Sequence, residues 1–252
     1  MKTNFIKTIS RVESRKSKVE CQPDAGPQLL RPRPSTLDPR PGFTLIELLV
    51  VIAIMGVLAG LTLSVLGGVK RSQALNTARA EMDQIKTALD NYKAKYGVYP
   101  PGNSTSSLQN QLYYELSGTT NDGTYFITLD GSSQIKIGDV FTAFGVGGFI
   151  NCSKGGGEDA AAAHNFLPSL KPNRLGTSTF NGISITNLVT SVRGPDANYQ
   201  PLGVPDVNPF RYAYPGTNNP GSYDLWVQLV YHGQTNLICN WSKQVQFNSP
   251  LP

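Results

Sequence analysis

The most apolar stretch of the chain runs from Phe43 to Leu66 and contains one charged residue, Glu47. A helix of this length measures about 36 Å, and the hydrocarbon core of a bilayer is roughly 30 Å thick. A cleaved signal peptide has a shorter apolar core, followed by a small-residue cleavage site. The pattern therefore predicts a membrane-spanning helix over residues 43–66.

A second helical pattern, of a different kind, covers residues 67–96. Apolar residues recur there three and four positions apart, which places them on one face of an otherwise polar helix. Gly97 and the prolines at 100 and 101 end the pattern. We expect one long helix whose amphipathic second half packs on a globular head. The apolar positions of this seam are Leu75, Ala78, Met82, Ile85, Leu89, Tyr92 and Tyr96.

Residues 97–252 contain short runs of β-forming residues separated by clusters of Gly, Pro and Asn. The runs are "TYFITL", "SQIKIG", "GISITNLVTSV", "YDLWVQLVY" and "KQVQF". Such a pattern predicts antiparallel sheet with long loops. The predicted fold class is therefore α+β, with a long N-terminal helix packed on a small antiparallel β-sheet head.

The net charge of +5 arises in the first 42 residues, which hold nine Lys or Arg and four Asp or Glu, whereas the rest of the chain holds thirteen of each. This leading segment is rich in proline and lacks apolar periodicity, so we predict that it is disordered and cytosolic. The body of the protein is neutral. Its charge therefore gives no reason to expect nucleic acid as a partner.

The cysteines divide at the same point: Cys21 lies in the leading segment, and Cys152 and Cys239 lie in the body. If the body is exported alone, Cys152 and Cys239 can form one disulfide in an oxidising compartment. Two unpaired thiols are the alternative interpretation.

No catalytic motif is present in the sequence. It has no nucleophile elbow, P-loop or Cys-x-x-Cys pair, and neither His164 nor His232 has the spacing of a metal ligand. Aromatic residues concentrate in the C-terminal third, which includes Trp226 and Trp241. Packing in a core is the favoured interpretation of these residues, ahead of stacking on bases or glycans. The sequence predicts a protein that is not an enzyme.

Residues 42–60, "GFTLIELLVVIAIMGVLAG", resemble the start of type IV pilins and of the pseudopilins of type II secretion systems. In that family a prepilin peptidase cuts after the glycine and N-methylates the new terminus. The resemblance implies cleavage between Gly42 and Phe43, methylation of Phe43 and removal of residues 1–42 as a leader. It also implies a single-pass inner-membrane protein with a cytoplasmic N-terminus and a periplasmic or extracellular head.

The same resemblance gives Glu47 a role in filament assembly. Family precedent pairs this carboxylate with the N-terminal amine of the neighbouring subunit. Glu47 is then expected to be unpaired in the monomer and paired in the filament, where it sets the register of assembly.

Two further stretches narrow the resemblance to the major, G-type pseudopilin. They are "LDNYKAKYGVYPP" at 89–101 and "DVNPFRYAYPGTNNPGSYDLWV" at 206–227, and Asn240-Trp241 matches the family's terminal Asn-Trp. Residues from about 103 to 200 have no counterpart in that family. We expect them to form an insertion in the head, which covers 97–252.

One departure from the G-type pattern concerns calcium. Relatives of this type hold a calcium ion in an Asp- and Gly-rich loop before the final Asn-Trp. The corresponding loop here, "YHGQTNLICNW" at 231–241, has no carboxylate. Because Ca²⁺ takes about six to eight oxygen ligands, usually including carboxylates, we expect no calcium site and no cofactor.

The function that the resemblance implies is that of a structural subunit polymerising into a type II secretion pseudopilus for protein export. Its partners would be prepilin peptidase, copies of itself and other pseudopilins, the lipid bilayer, and an inner-membrane assembly platform with a separate ATPase. Two alternatives stay open. One is a type IV pilin-like subunit for adhesion or DNA uptake, and the other is a membrane-anchored binding module or enzyme with a pilin-type N-terminus.

Overall fold

The structure, a computed structural model, describes residues 42–153, 162–193, 198–231 and 233–249, with the backbone but not the side chains of residues 62–68. The predicted leader lies outside the described residues except for Gly42. The chain divides into two compact units, Met1–Ala53 and Ile54–Pro252. Of the first unit, residues 42–53 are described, and the second unit contains the β-rich head.

The long helix predicted from the sequence is α1 (Leu45–Tyr96), which contains 52 residues and continues through Gly67 and Gly68. It ends where Gly97 adopts a left-handed φ of +78° and donates its N–H to the Lys93 carbonyl oxygen at 2.8 Å. Glycine adopts this conformation without the steric penalty of a Cβ. The sequence also predicts that residues 43–66 cross a membrane, but in the ranges described no helix is both long and apolar enough to do so.

The second half of α1 packs on the head through the predicted apolar seam. Leu75 and Tyr96 are half-buried against the core. The five members between them are at most 5% exposed: Ala78, Met82, Ile85, Leu89 and Tyr92. Because burial of a large apolar side chain contributes about 1.5–3 kcal/mol, this seam stabilises the packing of α1 on the head.

The head begins with a short helix, α2 (Leu112–Ser117), and a four-stranded sheet. The strands are β1 (Thr119–Asn121), β2 (Tyr125–Thr128), β3 (Gln134–Lys136) and β4 (Cys152–Ser153), in the order β3-β2-β1-β4. A 3₁₀ turn (Ile137–Asp139) and α3 (Val140–Phe144) follow β3. The pairs β1–β2 and β2–β3 are antiparallel, as predicted, but β1 and β4 pair in parallel.

A 3₁₀ turn (Pro172–Arg174) leads into an antiparallel hairpin formed by β5 (Leu175–Phe180) and β6 (Ile183–Leu188). The second four-stranded sheet is antiparallel throughout, in the order β10-β9-β8-β7. Its strands are β7 (Arg211–Ala213), β8 (Asp224–Tyr231), β9 (Gln234–Cys239) and β10 (Gln246–Phe247). Leu225, Val227, Leu229 and Ile238 of this sheet share one buried cluster with the α1 seam.

The interpretation of residues 231–241 as a loop is wrong, because Gln234–Cys239 is strand β9 and pairs with β8 from Trp226 to Tyr231. The chain reverses at Gly233, where φ is +73°. The register pairs Tyr231 with Gln234, so two residues connect the strands, and glycine suits such a tight hairpin. The apolar residues Leu237 and Ile238 then extend the pairing into the core.

A buried ion pair ties α1 to the segment that precedes the β5–β6 hairpin. Arg174, 5% exposed, lies with its Nε 3.5 Å from the Glu81 carboxylate and donates from Nη1 to the Gln84 amide oxygen at 3.1 Å. Glu81 also accepts the Thr190 hydroxyl at 2.6 Å and the Ser191 N–H at 3.0 Å. Satisfied charges of this kind fix the position of one element on another.

A second buried carboxylate fastens residues 150–151 to α1 and α2. Glu115 is fully buried, and it accepts the Tyr92 hydroxyl and the N–H groups of Ile150 and Asn151, each at 2.9 Å. Burial raises the pKa of this carboxyl above its ordinary value, although the three donors act in the opposite direction. Residues 150–151, which belong to the predicted insertion, are thus held in place by the buried Glu115 carboxylate.

Candidate functional site

The N-terminal part of α1, together with Phe43 two residues before it, carries many exposed apolar side chains. We call residues 43–61 the apolar segment. Its thirteen large apolar side chains are between 42% and 82% exposed. They are Phe43, Leu45, Ile46, Leu48, Leu49, Val50, Val51, Ile52, Ile54, Met55, Val57, Leu58 and Leu61. Contiguous apolar exposure on this scale marks a surface that lipid or another protein covers.

The one charged residue of the apolar segment, Glu47, forms a capping box with Thr44. The Glu47 carboxylate accepts the Thr44 backbone N–H and the Thr44 hydroxyl, both at 2.8 Å. In return, the Glu47 N–H donates to the Thr44 hydroxyl oxygen at 3.3 Å. These bonds satisfy donors that the first turn of a helix leaves without partners. The Glu47 carboxylate therefore has hydrogen-bond partners within its own subunit, and its pairing with the amine of a neighbouring subunit stays a prediction.

Thr44 is the partner of Glu47 that the sequence interpretation missed. Its signal was readable, because Thr-x-x-Glu directly before an apolar run is the pattern of a capping box.

Gly42 and Phe43, the residues of the predicted cleavage site, are both exposed, and Phe43 retains 82% of its accessible surface. A Cβ added at Gly42 would meet nothing within 4 Å. Packing therefore gives no reason for a glycine at this position.

The two C-terminal motifs meet in the head around Asp224. We call residues 214–219, 223–226 and 240–241 the motif cluster. The Asp224 carboxylate, 1% exposed, accepts the backbone N–H groups of Asn218 at 2.7 Å and Asn219 at 3.0 Å, together with their side-chain amides. A Cβ at Gly216 would lie 2.7 Å from the Asp224 Oδ1, so this loop requires glycine.

Asn240 and Trp241 complete the motif cluster from the end of β9. The Asn240 side chain accepts the Leu225 N–H at 3.0 Å and donates to the Tyr223 carbonyl oxygen at 2.9 Å. The Trp241 ring packs edge-on against Trp226, with centroids 5.7 Å apart. The separated sequence motifs are therefore one structural unit that joins the start of β8 to the end of β9.

Comparison with known proteins finds a family match that overlaps the apolar segment. Residues 39–63 match the family model described as the prokaryotic N-terminal methylation motif. The type II secretion system core protein G of Pectobacterium carotovorum subsp. carotovorum is 42% identical over 59 residues, and that of Escherichia coli (strain K12) is 41% identical over 66 residues. The chain is thus similar, over part of its length, to type II secretion system core protein G.

The pseudopilin likeness covers a limited part of each protein. The two alignments include 23% and 26% of this chain, and 38% and 46% of the relatives. The chain thus spans less than half the length of these curated relatives. No solved structure matches the chain at a significant level.

The two cysteines downstream of the pseudopilin-type segment lie in different sheets. Cys152 is in β4 and Cys239 is in β9, and they belong to separate hydrophobic clusters. Both are free thiols, so the disulfide that the sequence left open is not formed in the structure. Burial raises the pKa of the Cys239 thiol, which keeps it in the unreactive protonated form.

A calcium site near the final Asn-Trp was not expected from the sequence. Across the described ranges, no group of three or more His, Cys, Asp or Glu side chains is arranged to hold a metal ion. Asp224, the carboxylate that lies near Asn240, is already occupied by four N–H donors.

Proposed function

We propose that this protein is a structural subunit of a type II secretion pseudopilus, with no enzymatic activity of its own. The observation that carries the proposal is the exposed apolar segment, which coincides with the prokaryotic N-terminal methylation motif. The similarity to two type II secretion system core G proteins favours secretion over the other filament systems that use such a segment.

Processing is the first step of the proposed pathway. Prepilin peptidase removes residues 1–42 by cutting between Gly42 and Phe43 and then methylates the amine of Phe43. The exposure of both residues supports this step, because a scissile peptide must enter the enzyme without unfolding a core. Cleavage leaves the Thr44–Glu47 capping box in the mature chain.

Membrane anchoring through the apolar segment is the second step. The prepilin-type motif supports insertion of this segment in the inner membrane, with the leader on the cytoplasmic side and the head in the periplasm or outside the cell. A carboxylate at the centre of a bilayer costs about 2.5–3.5 kcal/mol on insertion scales, and Glu47, which lies near one end of the segment, incurs part of that cost. The two hydrogen bonds from Thr44 offset part of this cost and allow Glu47 to stay in the segment.

Assembly with copies of the same chain and with other pseudopilins is the third step. A head-to-tail contact between identical subunits generates an open helical filament, with the apolar segments covered at its centre. The capping box leaves the net charge of Glu47 uncompensated, and the amine of Phe43 in a neighbouring subunit would neutralise it. An inner-membrane platform with a separate ATPase would drive the growth.

Substitution of Glu47 tests this proposal. Glu47→Ala removes the charge and the cap, whereas Glu47→Gln removes the charge but retains an oxygen that accepts the Thr44 donors. We expect both variants to be cleaved and inserted but to form few filaments, as measured by cross-linking of subunits in cells that contain the secretion machinery. Normal filaments from both variants would refute the assembly role. If Glu47→Ala alone loses filaments, the assembly role belongs to the cap and not to the charge.

A further inference from the structure

Two stretches of the chain that lie against each other carry positive charge and no acidic residue. They are residues 69–80 of α1 and residues 233–249, which contain β9 and β10. Neither stretch contains Asp or Glu, and within the described ranges no carboxylate forms an ion pair with their cations. These two stretches therefore form a basic surface, although the chain from residue 43 onward has no net charge. Their cations are Lys70, Arg71, Arg79 and Lys243.

Arg71 joins the two stretches on the side from which α1 enters the head. Its Nη2 donates to the Gln234 amide oxygen at 2.9 Å and to the Asn236 amide oxygen at 2.7 Å. Its guanidinium carbon lies 5.2 Å from the centroid of the Phe247 ring. Because both acceptors are neutral amides, the positive charge of Arg71 stays uncompensated. We call residues 69–71, 233–236 and 246–248 the basic tip.

The basic tip also exposes apolar surface beside its cations. Val69 and Phe247 are each 54% exposed, and Lys70 is exposed between Val69 and Arg71. The Arg71 guanidinium holds the Phe247 ring in place by a cation–π contact. Cations next to exposed apolar and aromatic side chains are the composition of surfaces that lie in the interfacial layer of a membrane.

The position of the basic tip along α1 corresponds to the level of lipid headgroups. The helix runs without a break from Ile54 to Arg71 within one compact unit. From Leu66, the last residue of the predicted membrane span, it rises about 7.5 Å to Arg71. The headgroup layer on each side of a bilayer core is about 5–7.5 Å thick. A tilted helix would bring Arg71 closer still to the phosphates.

We propose that the basic tip binds the headgroup layer of an anionic phospholipid membrane. This inference rests on the proposed membrane anchoring and adds a second contact, which the head itself makes. Lys70 and Arg71 supply positive charge near the phosphates, and Phe247 supplies apolar surface that enters between the headgroups. Anionic lipid is the preferred partner, because the attraction acts within a Debye length of about 8–10 Å.

Photocrosslinking of the full chain in vesicles tests this contact. Phe247→p-benzoylphenylalanine places a group that reacts with nearby C–H bonds on the basic tip. The vesicles contain phosphatidylcholine and phosphatidylglycerol, and the intact mass of the product shows which lipid is attached. We expect phospholipid adducts in which phosphatidylglycerol has a larger share than it has in the vesicles.

Phe141→p-benzoylphenylalanine is the matched control and should give few lipid adducts. Phe141 is 69% exposed, so the same group is tolerated there. It belongs to α3, which packs on α2, and α2 contacts α1 at Tyr92. Tyr92 is about 32 Å along the helix from Arg71, so the control position lies far from the basic tip.

A change of charge tests the electrostatic part of the proposal. Lys70→Glu reverses an exposed charge on the basic tip, and we expect at least about threefold fewer phosphatidylglycerol adducts at position 247. Lys136→Glu makes the same change on an exposed residue of β3 and should leave the yield unaltered.

Three results would overturn the proposal. The first is a yield of lipid adducts at position 247 no higher than at position 141. The second is an equal yield with Lys70→Glu and Lys136→Glu. The third is a crosslink from position 247 to a second copy of the chain in place of lipid, which would make the basic tip a contact between subunits. Extraction with alkaline carbonate separates this inference from the proposed function. A chain that carbonate releases from the vesicles would overturn both, whereas a retained chain without adducts at position 247 would overturn the lipid contact alone.

Discussion

At the scale of single residues, Thr44 and Glu47 show how one short pattern serves two purposes. The pair caps the N-terminus of α1 through three hydrogen bonds, which is a local structural role. The same carboxylate is the one charge in an exposed apolar segment, which suits it to the proposed pairing between subunits. Because the cap uses hydrogen bonds and leaves the charge in place, the two roles are compatible.

The cap gives a first prediction. Thr44→Val retains the shape of the side chain but removes its hydroxyl, and we expect the first turn of α1 to lose about 0.5–2 kcal/mol of stability. Hydrogen exchange of the Ile46 and Glu47 amides in the full chain should therefore accelerate. Thr44→Ser, which retains the hydroxyl, should exchange as the parent does. Equal rates in all three proteins would contradict the capping box.

The close approach of Gly216 to Asp224 gives a second prediction. Gly216→Ala places a Cβ 2.7 Å from the Asp224 Oδ1 and 2.9 Å from its backbone N, so the loop must shift. We expect the free energy of unfolding of the head to fall by about 1–3 kcal/mol, as overpacking typically produces. Denaturant titration followed by tryptophan fluorescence measures this change.

Gly147→Ala is the control for this experiment. A Cβ at Gly147 meets nothing within 4 Å, so the same chemical change should leave the free energy of unfolding nearly unaltered. Equal losses in the two variants would show that the Gly216–Asp224 approach does not constrain the loop.

At the scale of elements, the sequence predicted those features that depend on local periodicity. The apolar seam of α1 was readable because spacings of three and four place residues on one helix face, and its central members are buried. The runs "TYFITL" and "YDLWVQLVY" likewise contain β2 and β8. Strand β9 was missed because its identification as a loop followed from family resemblance instead of from its own residues.

Features that depend on distant pairing could not be predicted in this way. The parallel pairing of β1 with β4 joins Thr119 to Cys152, and no local pattern encodes it. Burial of Glu115 is a similar case, because its donors on Tyr92, Ile150 and Asn151 lie 23, 35 and 36 residues away from it in the sequence. The meeting of Asp224, Asn240 and Gly216 in one cluster also required the structure.

Glu115 gives a third prediction, which concerns pH. Burial raises its pKa in the folded head above the ordinary value of 4.5. As the pH rises from that value, the unfolded chain releases the proton first while the folded head retains it. The contribution of Glu115 to the free energy of unfolding therefore falls with rising pH and levels off above the folded-state pKa.

The measurement compares the parent with Glu115→Gln, which cannot ionise, by denaturant titration at pH values from about 4 to 8. The other carboxyl groups titrate in both proteins, so their contributions cancel when the free energy of unfolding of the variant is subtracted from that of the parent. We expect the stability of the parent relative to the variant to decrease over this range. A difference that is constant or increases with pH would contradict the raised pKa.

At the scale of the whole molecule, the net charge and the exposed apolar side chains both lie mainly near the N-terminus. The leader carries the entire net charge of the chain, and the apolar segment that follows it carries the largest group of exposed apolar side chains. The remaining chain forms a head with a packed core. We propose that the leader is removed, that lipid and neighbouring subunits cover the apolar segment, and that the head stays in water.

The N-terminal sequence and intact mass of the mature protein test the central claim most directly. The full chain is produced together with an active prepilin peptidase and, for comparison, with an inactive one. We predict that the active enzyme yields a chain that begins at Phe43 and carries one methyl group on its N-terminal amine, while the inactive enzyme leaves residues 1–42 in place. A mature chain that retains the "RPRP" sequence of residues 31–34 in the presence of the active peptidase would contradict the account.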